Sequence, residues 1–360
     1  MRTRTRAKGV GRVPARVRDR IRKLILSGAV PPGSLLPGLR RMSREHKAAL
    51  TTVHQALTNL VAEGLIAAEP RRGYRVLYGA DDADKTRPVA YVTSQRGAPG
   101  EWEPFFQELL VAFQDAAHSR GWTMLGVGAA DQDHAGVMRQ LAGARSWGVL
   151  LERANPELIT MVRASGLPAI IVNPGAGDAG LDAVMQDNYQ GGMLAAEHLL
   201  ARGHRRIAWV GATVRTGYSL ARLAGASAAL LRAGAELAPE LRVETSGNNA
   251  RELARELLRR PERPTAILAL WREEAIDVAA AARELGLTAG RDFEMVGWCV
   301  QEQYERDYRP AFGGGPVPPT VVWSARAMAN LAVSRLAERR ANPGLEAVRI
   351  HVPVTLRVAD

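Results

Sequence analysis

The chain has 360 residues, 46% hydrophobic and 24% charged, ordinary proportions for a folded globular protein that exclude wholesale disorder, a collagen-like repeat and a disulfide scaffold. Its formal net charge of +11 is unevenly placed: residues 1–80 hold 17 Lys+Arg against 4 Asp+Glu, and the other 280 residues hold 31 against 33. No run approaches the ~20 apolar residues of a bilayer span, the opening Met1-Arg-Thr-Arg-Thr-Arg-Ala-Lys has no signal-like apolar segment, and the single cysteine, Cys299, rules out an intrachain disulfide and any multi-cysteine metal site. The expectation is a cytoplasmic protein without membrane contact, carrying a polyanion-binding head on a near-neutral body.

After a basic arm (residues 1–13), Val17, Ile21, Leu24 and Ile25 recur at helical spacing, and Ser27-Gly28 supplies a stop. A second short helix is expected from about Gly38 with Leu39 and Met42 inward. A third is expected from about Leu50 to Glu63, with Val53, Leu57, Leu60 and Val61 on its apolar face. The opposite face presents Thr51, Gln55, Thr58 and Asn59, with Thr52 and His54 on the flanks. Two short strands then surround a turn containing Arg71, Arg72 and Gly73. Three helices followed by a hairpin make a winged helix over residues 14–78. Arginine positions such a module on phosphates, whereas base edges are read by groups such as His54, Gln55 or an arginine fork.

The stretch Leu26-Ser-Gly-Ala-Val-Pro-Pro-Gly-Ser-Leu-Leu-Pro-Gly-Leu-Arg-Arg-Met-Ser, with the run from Thr51 to Ile66 and Arg71-Arg-Gly-Tyr, resembles the GntR family of winged-helix regulators over roughly residues 14–77. The resemblance implies that Arg40, with Arg41 beside it, Thr51, Thr52, His54 and the wing around Arg71, Arg72 and Gly73 contact double-stranded operator DNA. Leu39, Leu50 and His54 depart from the residues usual there. An arginine at position 50 bidentate to guanine would discriminate by about 1–3 kcal/mol; a leucine offers contact with a thymine methyl instead.

Residues 79–87 are polar and lead to Pro88, reading as a linker. Beyond it, short apolar runs (Val89–Val92, Met124–Val127, Gly148–Leu151, Ala169–Val172, Ile207–Val210, Ala266–Leu270, Met295–Gly297) alternate with helical periodicities. Such alternation predicts an α/β body of parallel sheets flanked by helices, two sheets fitting the length better than one.

The run from Val184-Met-Gln-Asp-Asn-Tyr-Gln-Gly-Gly to Ile207-Ala-Trp-Val-Gly looks like the LacI/GalR effector domain, with support from Arg222-Leu-Ala-Gly, Pro264-Thr-Ala-Ile-Leu-Ala, Phe293-Glu-Met-Val-Gly, Thr320-Val-Val and Val352-Pro-Val-Thr-Leu. The resemblance spans about residues 88–358. It implies a periplasmic-binding-protein-like domain over 88–360, with two lobes joined by crossings near 187–190, 316–320 and 343–347, a cleft for a small-molecule effector, and a homodimer. A GntR-type head on such a body resembles the arabinose-repressor architecture. Phe105 and Arg222 match effector-contacting positions of the family. Trp271-Arg272 and Trp298-Cys299-Val300 replace the family's usual acidic clamps, so indole faces and a cation stand where carboxylates would accept from sugar hydroxyls. Candidate effectors are an acidic sugar, an aromatic acid or a stacked pyranose; the alternative is a body that has lost small-ligand binding and serves dimerisation or protein contacts.

Enzyme readings find no support. Residues 81–360 contain one lysine, Lys85, which leaves neither a pyridoxal phosphate lysine nor a Walker motif. Gly126-Val-Gly128 lacks a third glycine, and the seven histidines form no metal-binding pair on one helix. No cofactor, metal or catalytic residue is expected, and Asp131, Asp133 and His134 read as a solvated turn.

Overall fold

The computed structural model describes residues 12–26, 30, 33–63, 65–70, 72–76, 87–94, 104–129, 133–174, 180–212, 217–246 and 249–358. It divides into two compact units, Met1–Pro88 and Val89–Asp360. Arg71, residues 1–11 of the expected arm and most of the linker lie outside the described residues.

The first unit contains α1 (Arg12–Leu26), α2 (Leu39–Glu45), α3 (Leu50–Ala62), β1 (Ile66–Glu69) and β2 (Gly73–Val76). Residues 12–13, expected in the arm, already belong to α1. Val17, Ile21 and Ile25 of α1 pack with Met42 of α2 and with Val53, Leu57 and Leu60 of α3, the spacing of one buried stripe per helix. Two members of the predicted stripes turn outward: Leu24 is 40% exposed and Val61 37%, because each lies at the rim of an apolar arc whose centre fills the small core. The wing gains a third strand-like segment, since Leu36 N–H donates to the Tyr74 carbonyl at 2.7 Å and Gly33 N–H to that of Val76 at 2.9 Å.

The second unit is two doubly wound lobes. The N-terminal lobe contains β3 (Val89–Thr93), α4 (Pro104–His118), β4 (Met124–Gly128), α5 (His134–Gly143), β5 (Gly148–Glu152), α6 (Pro156–Ala164), β6 (Ala169–Val172) and β7 (Asp182–Gln186). The C-terminal lobe contains α7 (Asn188–Ala201), β8 (Ile207–Val210), α8 (Gly217–Arg232), β9 (Arg242–Val243), α9 (Ala250–Arg259), β10 (Ala266–Ala269), α10 (Arg272–Glu284), β11 (Glu294–Val300) and β12 (Thr320–Trp323). The chain then returns through α11 (Ala325–Ala341) and β13 (Arg349–Val352) to the first lobe and ends in β14 (Val354–Arg357) of the second. The strand orders are β13-β7-β6-β5-β3-β4 and β14-β12-β11-β10-β8-β9, parallel except where β14 meets β12. Strands β3, β5 and β6 are buried along their whole length, as helices on both faces of a parallel sheet require.

The chain passes between lobes at Asp187, Ser324 and Pro353. The second and third passages fall later than the segments 316–320 and 343–347. Residues 316–319 lead into β12 within the C-terminal lobe, and 343–347 form the turn that brings α11 to β13 within the N-terminal lobe. Strands β7, β9, β12, β13 and β14 lie outside the apolar runs read from the sequence. They are edge or near-edge strands, and partly exposed β13 and β14 mix inward with outward residues.

Candidate nucleic-acid interface and inter-lobe site

On the head, α3 starts at Leu50, which is 48% exposed. Thr51, His54 and Gln55 are exposed and Thr52 is half-buried. Gln55 Nε2 donates to Asn59 Oδ1 at 3.2 Å and Thr58 Oγ1 to the His54 carbonyl at 3.0 Å, which orders the polar face along the helix. Arg40 and Arg41 stand exposed on α2, Arg41 bonded to Glu45 at 2.7 Å. In the wing, Arg72 is exposed with Nε 3.6 Å from Glu69, and Gly73 sits at φ +111°, a left-handed turn conformation suited to glycine. Arg75, which the sequence reading passed over, donates to Glu69 and to the Gly33 carbonyl and ties the hairpin to the turn before α2.

The inter-lobe site is built at the carboxyl ends of strands. Arg222 projects from α8 and is 1% exposed. Its guanidinium carbon lies 3.9 Å from the ring centroid of Trp271 and 3.6 Å from that of Trp298. Its Nε donates to Asn188 Oδ1 at 2.9 Å, Nη1 to the Leu270 carbonyl at 2.5 Å and Nη2 to Gln186 Oε1 at 3.0 Å. Trp298 Nε1 donates to the same Gln186 oxygen at 3.0 Å. Burial drives the guanidinium pKa well down; two indole faces and three acceptors compensate for the lost hydration. A void of about 20 Å³ beside it, room for one water, lies within the C-terminal lobe between α7, α8 and the sheet and not between the lobes.

Phe105, at the start of α4, completes the aromatic cluster across the lobes: its ring lies 6.4 Å from Trp271 and 5.8 Å from Trp323. Tyr218, not singled out in the sequence, meets Trp271 edge-on at 5.2 Å. Arg272, at the first position of α10, donates to Glu273 at 2.9 Å. Cys299 is buried, its thiol pushed up to about 12 by burial, and is inert at neutral pH. Asp133, from the expected turn cluster, accepts from Gly136 N–H and caps α5; Asp131 lies outside the described residues. Among the described residues no group of three or more His, Cys, Asp or Glu side chains is placed to hold a metal ion.

Carboxylates are nonetheless present at the strand ends. Glu152, the last residue of β5, is 1% exposed and accepts from Thr93 Oγ1 on the adjacent strand. Glu274, in the first turn of α10, accepts from Thr245 Oγ1 at 3.0 Å, while its Oε2 is buried without a hydrogen-bond partner among the described residues. Both were missed because a glutamate closing an apolar run, or opening a helix, carries no distinct spacing. Burial raises each to about 7. The unfolded carboxyl titrates near 4.5, so the fold holds these protons longer; the associated stability is complete below that value and is lost as pH rises through about 7. Thermal unfolding followed from pH 5 to pH 8 should therefore show stability falling, and Glu152→Gln should flatten the slope by about 3 kcal/mol across the range. An unchanged slope would refute the burial account.

A basic winged-helix head followed by a two-lobed α/β body with its polar groups at the strand ends defines the class of DNA-binding regulators with a ligand-binding domain. Residues 98–296 match the family model for periplasmic binding proteins and sugar binding domain of LacI family, and residues 14–76 that for bacterial regulatory proteins, gntR family. The chain belongs to the LacI-type family, carries a GntR-type head, and is a transcriptional regulator rather than an enzyme. It is 26% identical over 263 residues to the HTH-type transcriptional repressor PurR of Mannheimia succiniciproducens, covering 71% of this chain and 77% of that protein. To the PurR repressor of Escherichia coli it is 24% identical over 258 residues, 69% of this chain and 73% of that protein. Among solved structures, the transcriptional regulator CelR–cellobiose complex superposes with a TM-score of 0.65 at 22% identity, over 90% of this chain and 99% of that one. A LacI family regulator from Enterococcus faecium with bound ribose gives 0.61 at 20% identity, over 75% and 97%. No helix among the described residues is long and apolar enough to cross a membrane.

Proposed function

We propose that the protein is a cytoplasmic repressor that binds a pseudo-palindromic operator as a homodimer and responds to a small-molecule effector between its lobes. The observation that carries the reading is the exposed Thr51–His54–Gln55 face of α3 on a head that holds all of the chain's excess positive charge. Arg40, Arg41, Arg72 and the wing position the head on phosphates, and α3, Leu50 included, reads base edges in the major groove. The bound cellobiose and ribose of the structural neighbours support a carbohydrate or sugar-acid effector, and the aromatic cluster supports an aromatic acid equally well. A ligand that binds the open and closed lobes with different affinity shifts their equilibrium and with it DNA occupancy.

The test is DNA binding by the full chain, measured by fluorescence anisotropy on fragments from upstream of its own gene, with and without candidate effectors. Arg40→Ala is expected to weaken binding similarly on all sequences and to reduce the slope of log K against log salt by about 1. An unaltered slope would remove Arg40 from the phosphate contacts.

A second reading, a dimeric DNA-binding protein whose body has lost its small ligand, is favoured by one observation. Arg222, at the position expected to grip an effector, has its hydrogen bonds taken by partners within the chain. Thermal unfolding against a panel of sugars, sugar acids and aromatic acids separates the two, because a ligand of the folded state raises stability by RT ln(1 + [L]/Kd). Silence across the panel supports the second reading.

A further inference from the structure

In an open parallel sheet the ligand crevice lies beyond the carboxyl ends of the two strands between which the winding reverses. In the N-terminal lobe β3 has β4 on one side and β5 on the other, so the reversal falls between β3 and β5, whose last paired residues are Thr93 and Glu152. In the C-terminal lobe it falls between β8 and β10, and β10 runs on into Leu270 and Trp271. These two points define where a ligand held by both lobes must sit.

Arg153 follows Glu152 directly. It is exposed, and its backbone lies at φ +51°, in the left-handed region that residues other than glycine seldom occupy. Strain of that kind collects at ligand-binding and switch positions. Its guanidinium lies over the Phe106 ring at 5.4 Å and makes no salt bridge or hydrogen bond to a carboxylate among the described residues, only the charge of adjacent Glu152 bearing on it. Phe106 meets Phe105 edge-on at 4.7 Å, and Phe105 reaches Trp271 at 6.4 Å. A line of aromatic contacts thus runs from Arg153 at one reversal to Trp271 at the other.

The two other cations along this line are already engaged. Arg222 is buried between two indoles with three acceptors of its own chain, and Arg272 is bonded to Glu273. We propose that Arg153 is the anion-recognising residue of the inter-lobe site and that the effector is a planar aromatic carboxylate, its carboxyl on the Arg153 fork and its ring against Phe105 and Trp271. Arg222 is then a positioning residue that fixes the planes of Trp271 and Trp298. A guanidinium fork matches a carboxylate bidentately, and a flat ring suits offset or edge-on contact with the aromatic line. An uncharged sugar would leave the cation with only the partial charge of neighbouring Glu152 to balance it once the lobes closed. Neighbouring Glu152, whose proton is retained to about pH 7 by burial, does not present a full negative charge to the ligand near neutrality. The proposal rests on the ligand-responsive reading above.

The experiment titrates the full-length protein with benzoate and 4-hydroxybenzoate, with benzamide as the uncharged counterpart and glucose and gluconate as sugar controls, reading tryptophan emission and Tm. The benzoates should raise Tm, and benzamide should bind at least tenfold more weakly. Arg153→Gln should weaken benzoate binding at least tenfold, and Arg153→Lys should restore part of it. Arg222→Gln should lower Tm in the absence of any ligand, as expected of a residue that orders the fold. Benzoate affinity within twofold of the parent in Arg153→Gln would overturn the assignment. A response to glucose or gluconate without one to the benzoates would overturn it while leaving the ligand-responsive reading intact, whereas silence toward these and the broader panel would remove both.

Discussion

Replacement of Asp182 by alanine is expected to destabilise the body by about 3–5 kcal/mol, the usual consequence of leaving a buried charge without its partner. The Asp182 carboxylate is fully buried. Its Oδ2 lies 2.7 Å from Arg339, and its Oδ1 lies 3.1 Å from Arg335 Nε and accepts from Val348 N–H at 2.8 Å. The Arg335 contact is an ion pair. Arg335 and Arg339 are themselves mostly buried, at 11% and 15% exposure, and both donate to the Glu346 carbonyl. Removing the carboxylate therefore leaves two desolvated cations facing a hole and frees the turn that leads into β13. For a unit of this size the change corresponds to a fall in Tm on the order of 10 °C, readable by circular dichroism on the full chain. Because Asp182 opens β7, which ends at Gln186 beside Arg222, the variant should also loosen the first passage between the lobes. A loss below 1 kcal/mol would mean that the triad is not what holds the 342–348 turn.

The head was legible because its signals are local. Helix spacing and the polar face of α3 each follow from neighbours a few positions apart, whereas rim residues such as Leu24 and Val61, the pairing of Leu36 with Tyr74 and the Arg75 contacts escaped. In the body the alternation of strand and helix marked the interior of each sheet but not the edge strands, since β13 and β14 are short and half-exposed. The site was harder to read. Phe105, Arg222, Trp271 and Trp298 do converge, yet no pattern in the sequence tells that Gln186, Asn188 and the Leu270 carbonyl, 36, 34 and 48 positions from Arg222, would take its hydrogen bonds. A guanidinium looks the same in sequence whether it is free for a ligand or saturated by its own chain. Arg153 had even less to distinguish it, because a positive φ at a strand end arises from how β5 terminates rather than from the residue type.

The same long-range dependence sets the sign of an alanine scan through the glycines. In an exposed helix, glycine to alanine stabilises by about 1 kcal/mol through reduced backbone entropy, and Gly143→Ala in α5 is expected to follow that rule because a Cβ there meets nothing within 4 Å. Gly192→Ala in α7 and Gly225→Ala in α8 should reverse it. A Cβ at Gly192 would stand 2.0 Å from the Arg222 carbonyl oxygen, and one at Gly225 would stand 1.9 Å from that of Tyr189. Both obstacles are helix backbone, so relief requires α7 and α8 to move apart along most of their contact. Overpacking of this kind costs about 3 kcal/mol, more than the propensity gain. The displacement would not remain local, since α8 carries Arg222 and α7 begins with its acceptor Asn188. Gly191 on the same turn already abuts the Trp298 ring, which a Cβ would approach to 2.3 Å. Either variant should therefore lower Tm and, in the same titration, alter tryptophan emission as Trp271 and Trp298 lose the guanidinium between them, whereas Gly143→Ala should change neither downward. If Gly192→Ala and Gly225→Ala proved as stable as the parent with unchanged emission, the two helices would not be packed backbone to backbone, and the geometry that holds Arg222 between the indoles would have no support.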